Sequence, residues 1–271
     1  MRRFVALWLL ANAIMLPIVI FVLAPGMPPG NGTEQAAGQV VDNTVLLALS
    51  TPVALGVLLF LGYTIWAFRE RNLDGPVLDG PAVTGNSSVQ MWWLITTTAL
   101  VLFLAGFGSV RLLEDGSGGG QGPSPLVVPS GKALQVQVIG QQWQFTYRYP
   151  AYGLETNSLV LPPDTLVEFH VTSLDVIHSF WAYQLGVKAD ANPGVDNIAY
   201  VETRGPLSFE VRCAELCGVW HGYMYNPGKV ASSKAAFASW IQSQQQKYSA
   251  ASKVLPPYSH TYFPGPNGRS G

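Results

Sequence analysis

Charge is scarce in this chain. Lys, Arg, Asp and Glu make up 11% of its 271 residues, against about 25% in ordinary soluble domains. The formal net charge is −1, which offers no attraction to nucleic acid and no strong steering field. Only two cysteines are present, Cys213 and Cys217. They lie four positions apart, so their number says nothing about compartment beyond what that one stretch says. No internal repeat is evident. The mean hydropathy is positive. Low charge with high hydropathy points to a membrane protein carrying a modest extramembrane domain.

Three apolar runs are long enough to cross a bilayer, at about 4–24, 45–68 and 91–113. The first follows Arg2 and Arg3, as a secretory signal would, but its apolar stretch of about 20 residues exceeds the usual signal core of about 7–15. No small-x-small cleavage site follows it, so a retained helix is favoured over a cleaved signal. Arg2, Arg3, Arg69 and Arg71 fall on one side of three crossings, and residues 25–44 contain no Lys or Arg. By the positive-inside rule the amino terminus is cytoplasmic and the third run delivers the chain to the outer face. Trp66, Trp92 and Trp93 sit near run ends, where indoles anchor at the interface.

Residues 114–126, rich in Gly, Ser and Pro, read as a flexible linker. Beyond it the periodicity changes to two. Lys132–Ile139 and Gln144–Tyr149 alternate as half-buried strands. Further strands are expected at 158–161, 165–173, 196–203 and 206–213, with turns at Pro162-Pro163-Asp164 and Arg204-Gly205-Pro206. Many short strands predict a β-sandwich or Greek-key barrel over 127–248, closed by a helix at 233–248 capped by Ser232 or Ser233. Residues 249–271 read as a flexible tail; His260 there is not expected to be a ligand. His170 is read as structural or exposed.

The chemistry concentrates in residues 213–224, Cys-Ala-Glu-Leu-Cys-Gly-Val-Trp-His-Gly-Tyr-Met. Thiolate, thioether and imidazole together select copper over hard cations. A disulfide would explain the cysteines alone but not His221 and Met224. Zinc has little use for a thioether. A mononuclear blue-copper site needs one Cys and two His, which leaves one Cys too many here. Two thiolates, two histidines and a methionine fit a pair of copper ions bridged by both sulfurs, the second histidine coming from elsewhere in the chain.

Residues 213–224 resemble the C-x-E-x-C-G-x-x-H-x-x-M motif of cytochrome c oxidase subunit II, the carrier of the binuclear copper centre CuA. Residues 175–194 resemble that family's first histidine motif. Gln142-Trp143 with Phe145, Tyr147 and Tyr149 resembles its aromatic segment. The resemblance covers about residues 42–248. It implies a membrane-anchored, cupredoxin-like Greek-key barrel on the outer face of a bacterial cell membrane. It implies the ligands His178, Cys213, Glu215 through its carbonyl, Cys217, His221 and Met224, with Trp143 as the electron-entry residue. Gly218 would permit a sharp bend before His221. The Glu215 carboxylate would help hold Mg²⁺ at the border with subunit I, which Lys188 and Asp190 would also face. The implied partners are the haem-bearing subunit I and a cytochrome c, and the implied activity is that of a terminal oxidase reducing O₂ with proton pumping. Gln90 stands where relatives often carry a proton-entry glutamate. Alternatives are a related nitric oxide reductase subunit and a copper-binding or delivery module.

Overall fold

The computed structural model describes residues 2–69, 80 and 84–248. Arg71, the rest of its loop and the tail at 249–271, His260 included, lie outside the described residues. The chain divides into two compact units, one of residues 1–26 and 42–110, the other of 27–41 and 111–271.

The first unit is helical. Helix α1, Arg2–Ile18, runs into a wider π turn at Val19–Leu23. That change follows Pro17, whose missing N–H breaks the regular ladder. Helices α2, Glu34–Ala67, and α3, Ser87–Asp115, follow. All three are long and apolar enough to cross a membrane. Helices α1 and α2 are matched to each other. The Trp8 indole N–H donates to the Pro52 carbonyl at 2.8 Å, and Phe4 meets Phe60 edge-to-face. Asn86 begins α3, its side-chain oxygen accepting from the Ser88 and Val89 N–H groups at 3.1 Å each, an N-cap that satisfies otherwise orphaned donors.

The second unit is a sandwich of two five-stranded sheets. One sheet holds β1 (Leu134–Gln141), β2 (Gln144–Tyr149), β3 (Leu154–Thr156), β5 (Thr165–Ser173) and β8 (Asn197–Thr203), in the order β3-β2-β1-β5-β8. The other holds β4 (Leu159–Leu161), β6 (His178–Ala182), β7 (Val187–Ala191), β9 (Leu207–Cys213) and β10 (Tyr225–Val230), in the order β4-β10-β9-β6-β7. Helix α4, Lys234–Lys247, is the last element among the described residues, capped by Ser233, which accepts from the Ala236 N–H. Alternation in β2 sends Phe145, Tyr147 and Tyr149 inward, all fully buried, each worth roughly 1.5–3 kcal/mol in apolar burial. The Tyr149 hydroxyl donates to the Val160 carbonyl at 2.8 Å and accepts from the Val160 N–H at 3.0 Å, tying the two sheets together.

Three features differ from the sequence reading. Strands β3, β6, β7 and β10 were not expected, because they are short or lie in segments read as loops. Helix α2 starts at Glu34 rather than near 45, since its polar first turns pack in the sandwich unit. Thr33 caps it, accepting from the Ala36 N–H while donating to the Leu185 carbonyl at 2.7 Å. The Gln35 side chain accepts from the Glu202 N–H at 2.8 Å. Finally, the glycine-rich segment is not loose across 119–122. The Gly120 N–H donates to Lys188 and the Gln121 N–H to Ile198, both at 2.9 Å. A Cβ on Gly120 would lie 2.5 Å from Asn197 Nδ2, and one on Gly118 would collide with the Gly186 carbonyl. Glycine is there for close approach, not for freedom.

His170 is buried. Its Nδ1 lies 2.8 Å from Asp196 and its Nε2 lies 3.2 Å from Glu168; Glu168 also bonds to Tyr200. Burial lowers the imidazole's pKa, but Asp196 and Glu168 outweigh it and the net shift is upward. A raised folded-state pKa stabilises the fold below the ordinary histidine value, and that contribution is lost as pH rises through the raised one. Thermal unfolding of wild type should therefore move to lower temperature as pH rises from about 6 to about 9, and His170→Gln should flatten that slope. His170→Leu, which removes the imidazole held between Asp196 and Glu168, should cost about 3 kcal/mol.

Candidate metal centre

Cys213 ends β9, paired in register with Phe180 of β6. The chain then makes an eleven-residue excursion, through a 3₁₀ turn at His221–Tyr223, before β10 begins at Tyr225 opposite Arg212. The loop is closed at its neck, where the Cys213 N–H donates to the Met224 carbonyl at 3.0 Å. The Ala214 N–H donates to Ser179 of β6, also at 3.0 Å. Gly218 sits at φ +116°, a region that strains other residues. A Cβ there would also press on Gln142 and Trp143, at 3.1 and 3.3 Å.

This closure brings the expected donors together. Cys213 Sγ and Cys217 Sγ are 3.7 Å apart, and both thiols are free and buried. Cys213 Sγ is 3.8 Å from His178 Nδ1 and 3.2 Å from the Glu215 carbonyl. Cys217 Sγ is 3.5 Å from His221 Nδ1 and 3.7 Å from Met224 Sδ. His178, Cys213 and Cys217 form a cluster able to hold a metal ion, their ligating atoms all within 4.8 Å of one another. His178 and Met224 are buried, His221 is half-buried and the Glu215 side chain is exposed.

The surroundings orient these groups. His178 Nε2 is held by Asp175 at 2.8 Å, which leaves Nδ1 to face the sulfurs, the usual division of labour for a ligating imidazole. Asp175 also accepts from the Gln142 and Val176 N–H groups. Burial raises its pKa, yet these hydrogen bonds prevail and hold it below the ordinary carboxylate value. The Cys217 carbonyl receives two side-chain donors, Gln142 Nε2 at 2.8 Å and the Trp143 indole N–H at 3.1 Å. Burial, followed by the neighbouring Cys213, pushes the Cys217 thiol up to about 12. At neutral pH that sulfur needs a cation to become a thiolate, so loading a metal releases protons.

The donor set fits a pair of soft ions. Two sulfurs stand between two imidazole nitrogens that each point at them, with a thioether and one carbonyl beside them. Neither Asp175 nor Gln142 is foreseen from the sequence as a support for the metal donors. Asp175 is three residues before His178, a spacing that could have signalled a carboxylate–imidazole pair. Nothing in the sequence signals the reach of Gln142 to Cys217. His178, expected on a loop, opens β6 instead. Lys188 is exposed on β7 and Asp190 half-buried.

The family model for the periplasmic domain of cytochrome c oxidase subunit II matches residues 154–230. Cytochrome c oxidase subunit 2 of Thermostichus vulcanus is 26% identical over 296 residues, covering 93% of this chain and 88% of that protein. A probable cytochrome c oxidase subunit 2 of Rickettsia felis is 28% identical, covering 74% of this chain and 66% of its own length. The solved periplasmic domain of subunit II of cytochrome oxidase (CoxB) from Bradyrhizobium japonicum is 31% identical, with a TM-score of 0.41, covering 44% of this chain and 98% of that one. The sandwich is cupredoxin-like, and the protein is membrane-anchored with an outward domain. The family model within the sandwich and the curated relatives agree: along most of its length this chain is similar to cytochrome c oxidase subunit II, a component of haem–copper oxidases.

Proposed function

We propose that this chain is the electron-entry subunit of a terminal oxidase in a bacterial cell membrane. It accepts electrons from a cytochrome c and passes them to haem in subunit I, where O₂ is reduced to water with proton pumping. The observation that carries this reading is the convergence of Cys213, Cys217, His178, His221, Met224 and the Glu215 carbonyl on one point, with the Trp143 indole bonded to the Cys217 backbone.

Copper ions held there by Cys213, Cys217, His178, His221, Met224 and the Glu215 carbonyl would supply one-electron redox chemistry. The chain's own residues do the rest. Asp175 fixes the His178 ring, Gln142 and Trp143 hold the Cys217 carbonyl, and the buried thioether of Met224 helps exclude water. Trp143 offers an arriving electron a ring linked by one hydrogen bond to a ligand residue. The exposed Glu215 carboxylate is a hard donor suited to Mg²⁺, with the remaining ligands coming from subunit I. Buried donors argue against a delivery module, which needs exchangeable ligands.

The test is electron paramagnetic resonance on the full chain, purified in detergent and loaded with copper. A mixed-valence spectrum, one electron shared over two ions, is expected; a mononuclear pattern would reject the site. Met224→Leu should keep both ions while shifting the reduction potential and slowing turnover about tenfold. Loss of all metal in that variant would refute the ligand assignment.

A further inference from the structure

We propose that the surface around the copper loop docks its electron donor by apolar contact, and that this donor is a cytochrome c whose haem edge is ringed by uncharged side chains. The inference rests on the electron-entry reading above and names the partner's surface chemistry. Four large side chains of the loop stand in solvent: Val219 is 86% exposed, Leu216 82%, Tyr223 72% and Trp220 53%. The Trp220 and Tyr223 rings pack edge-to-face at 5.4 Å, which makes them a preformed pair. Val219 and Trp220 follow directly on Gly218, where an added Cβ would lie 3.3 Å from the Trp143 ring. Val176 and Ile177, beside the other imidazole, are exposed as well. Exposed aromatic and aliphatic side chains clustered around a functional group mark an interaction surface.

Charge complementarity decides which partner this surface fits. Between Cys213 and Tyr225 the only charged side chain is Glu215. Asp175 is already engaged by His178 and two backbone N–H groups. Glu155 pairs with Arg148, and Glu210 with Arg212. A donor ringed by lysines would have to shed water from its ammonium groups here with Glu215 as the loop's one carboxylate to receive them, which is unfavourable. A donor with an apolar ring meets no such penalty and buries Val219 and Trp220.

The test uses the intact oxidase complex and stopped-flow reduction by two probes, a basic cytochrome c with a lysine-ringed haem edge and a near-neutral one with an apolar ring. Raising ionic strength from about 10 mM to about 100 mM shortens electrostatic reach from roughly 30 to roughly 10 Å. The apolar-ringed probe should react faster, with a second-order rate constant that changes less than about threefold over that range. Val219→Ser/Trp220→Ser should lower that constant about tenfold, leaving the copper spectrum and photoinitiated transfer to haem unchanged. Should the double variant lose copper, Val219→Ser alone carries the same comparison with a smaller expected loss. A faster basic probe, a steep fall with salt, or an unaffected variant would overturn the proposal and leave the electron-entry reading standing. If neither probe reduces a complex that a small-molecule reductant does reduce, both fall.

Discussion

Cys217→Ser is expected to abolish the mixed-valence copper spectrum and to slow electron acceptance by about a thousandfold, equivalent to roughly 4 kcal/mol of barrier. Cys217 Sγ is the hub of the cluster, lying 3.7 Å from Cys213 Sγ, 3.5 Å from His221 Nδ1 and 3.7 Å from Met224 Sδ. Serine is nearly the same size and keeps the backbone carbonyl that Gln142 and Trp143 hold, so the fold should survive. A hydroxyl is neither soft nor readily ionised, and it cannot bridge two soft ions as a thiolate does. The measurement is paramagnetic resonance with stopped-flow reduction on the same copper-loaded full chain. A variant that still shares one electron over two ions would show that the Cys217 sulfur is not a required ligand.

Trp143→Gln should retain both ions yet be reduced by cytochrome c about a hundredfold more slowly. Glutamine can still donate to the Cys217 carbonyl, so the copper loop stays supported, but it offers no aromatic ring for the electron to enter. Trp143→Phe separates the two contributions, since it keeps a ring and removes the N–H seen at 3.1 Å from Cys217. Photoinitiated transfer from the copper centre to haem should be unaffected in both variants. Unchanged reduction by cytochrome c in Trp143→Gln would place electron entry elsewhere.

Much of this was legible before any coordinates. Three apolar runs announced three membrane-length helices, and the Cys-x₃-Cys-x₃-His-x₂-Met spacing announced a soft-metal site, because those residue types have few other joint uses. The ends of α2 and α3 were not legible. Hydropathy marks only where apolar residues begin, whereas the start of α2 is set by its cap Thr33 and its first-turn Gln35, bonded to Leu185 and Glu202, distant in sequence. Strands β6 and β7 were hidden for a related reason. Each is five residues long, and the alternation of Val187, Ala189 and Ala191 with Lys188 and Asp190 in β7 rests mainly on alanine, too small to mark an apolar face. His170 was left open between structural and exposed, and only the register that sets Asp196 and Glu168 on either side of it resolves the choice.

The glycines at 118–120 have a practical consequence for anyone dividing or recombining this protein. A cut at residue 127, where the β-rich region is expected to begin, would strip away the backbone that pairs with Lys188 and Ile198. It would also discard residues 27–41, and with them the partners of Leu185, Gly186, Glu202 and Arg204. A chimera grafting this outward module onto another anchor therefore has to carry two discontinuous pieces, 27–41 and 111–248, and a generic glycine–serine spacer is no substitute for the seam.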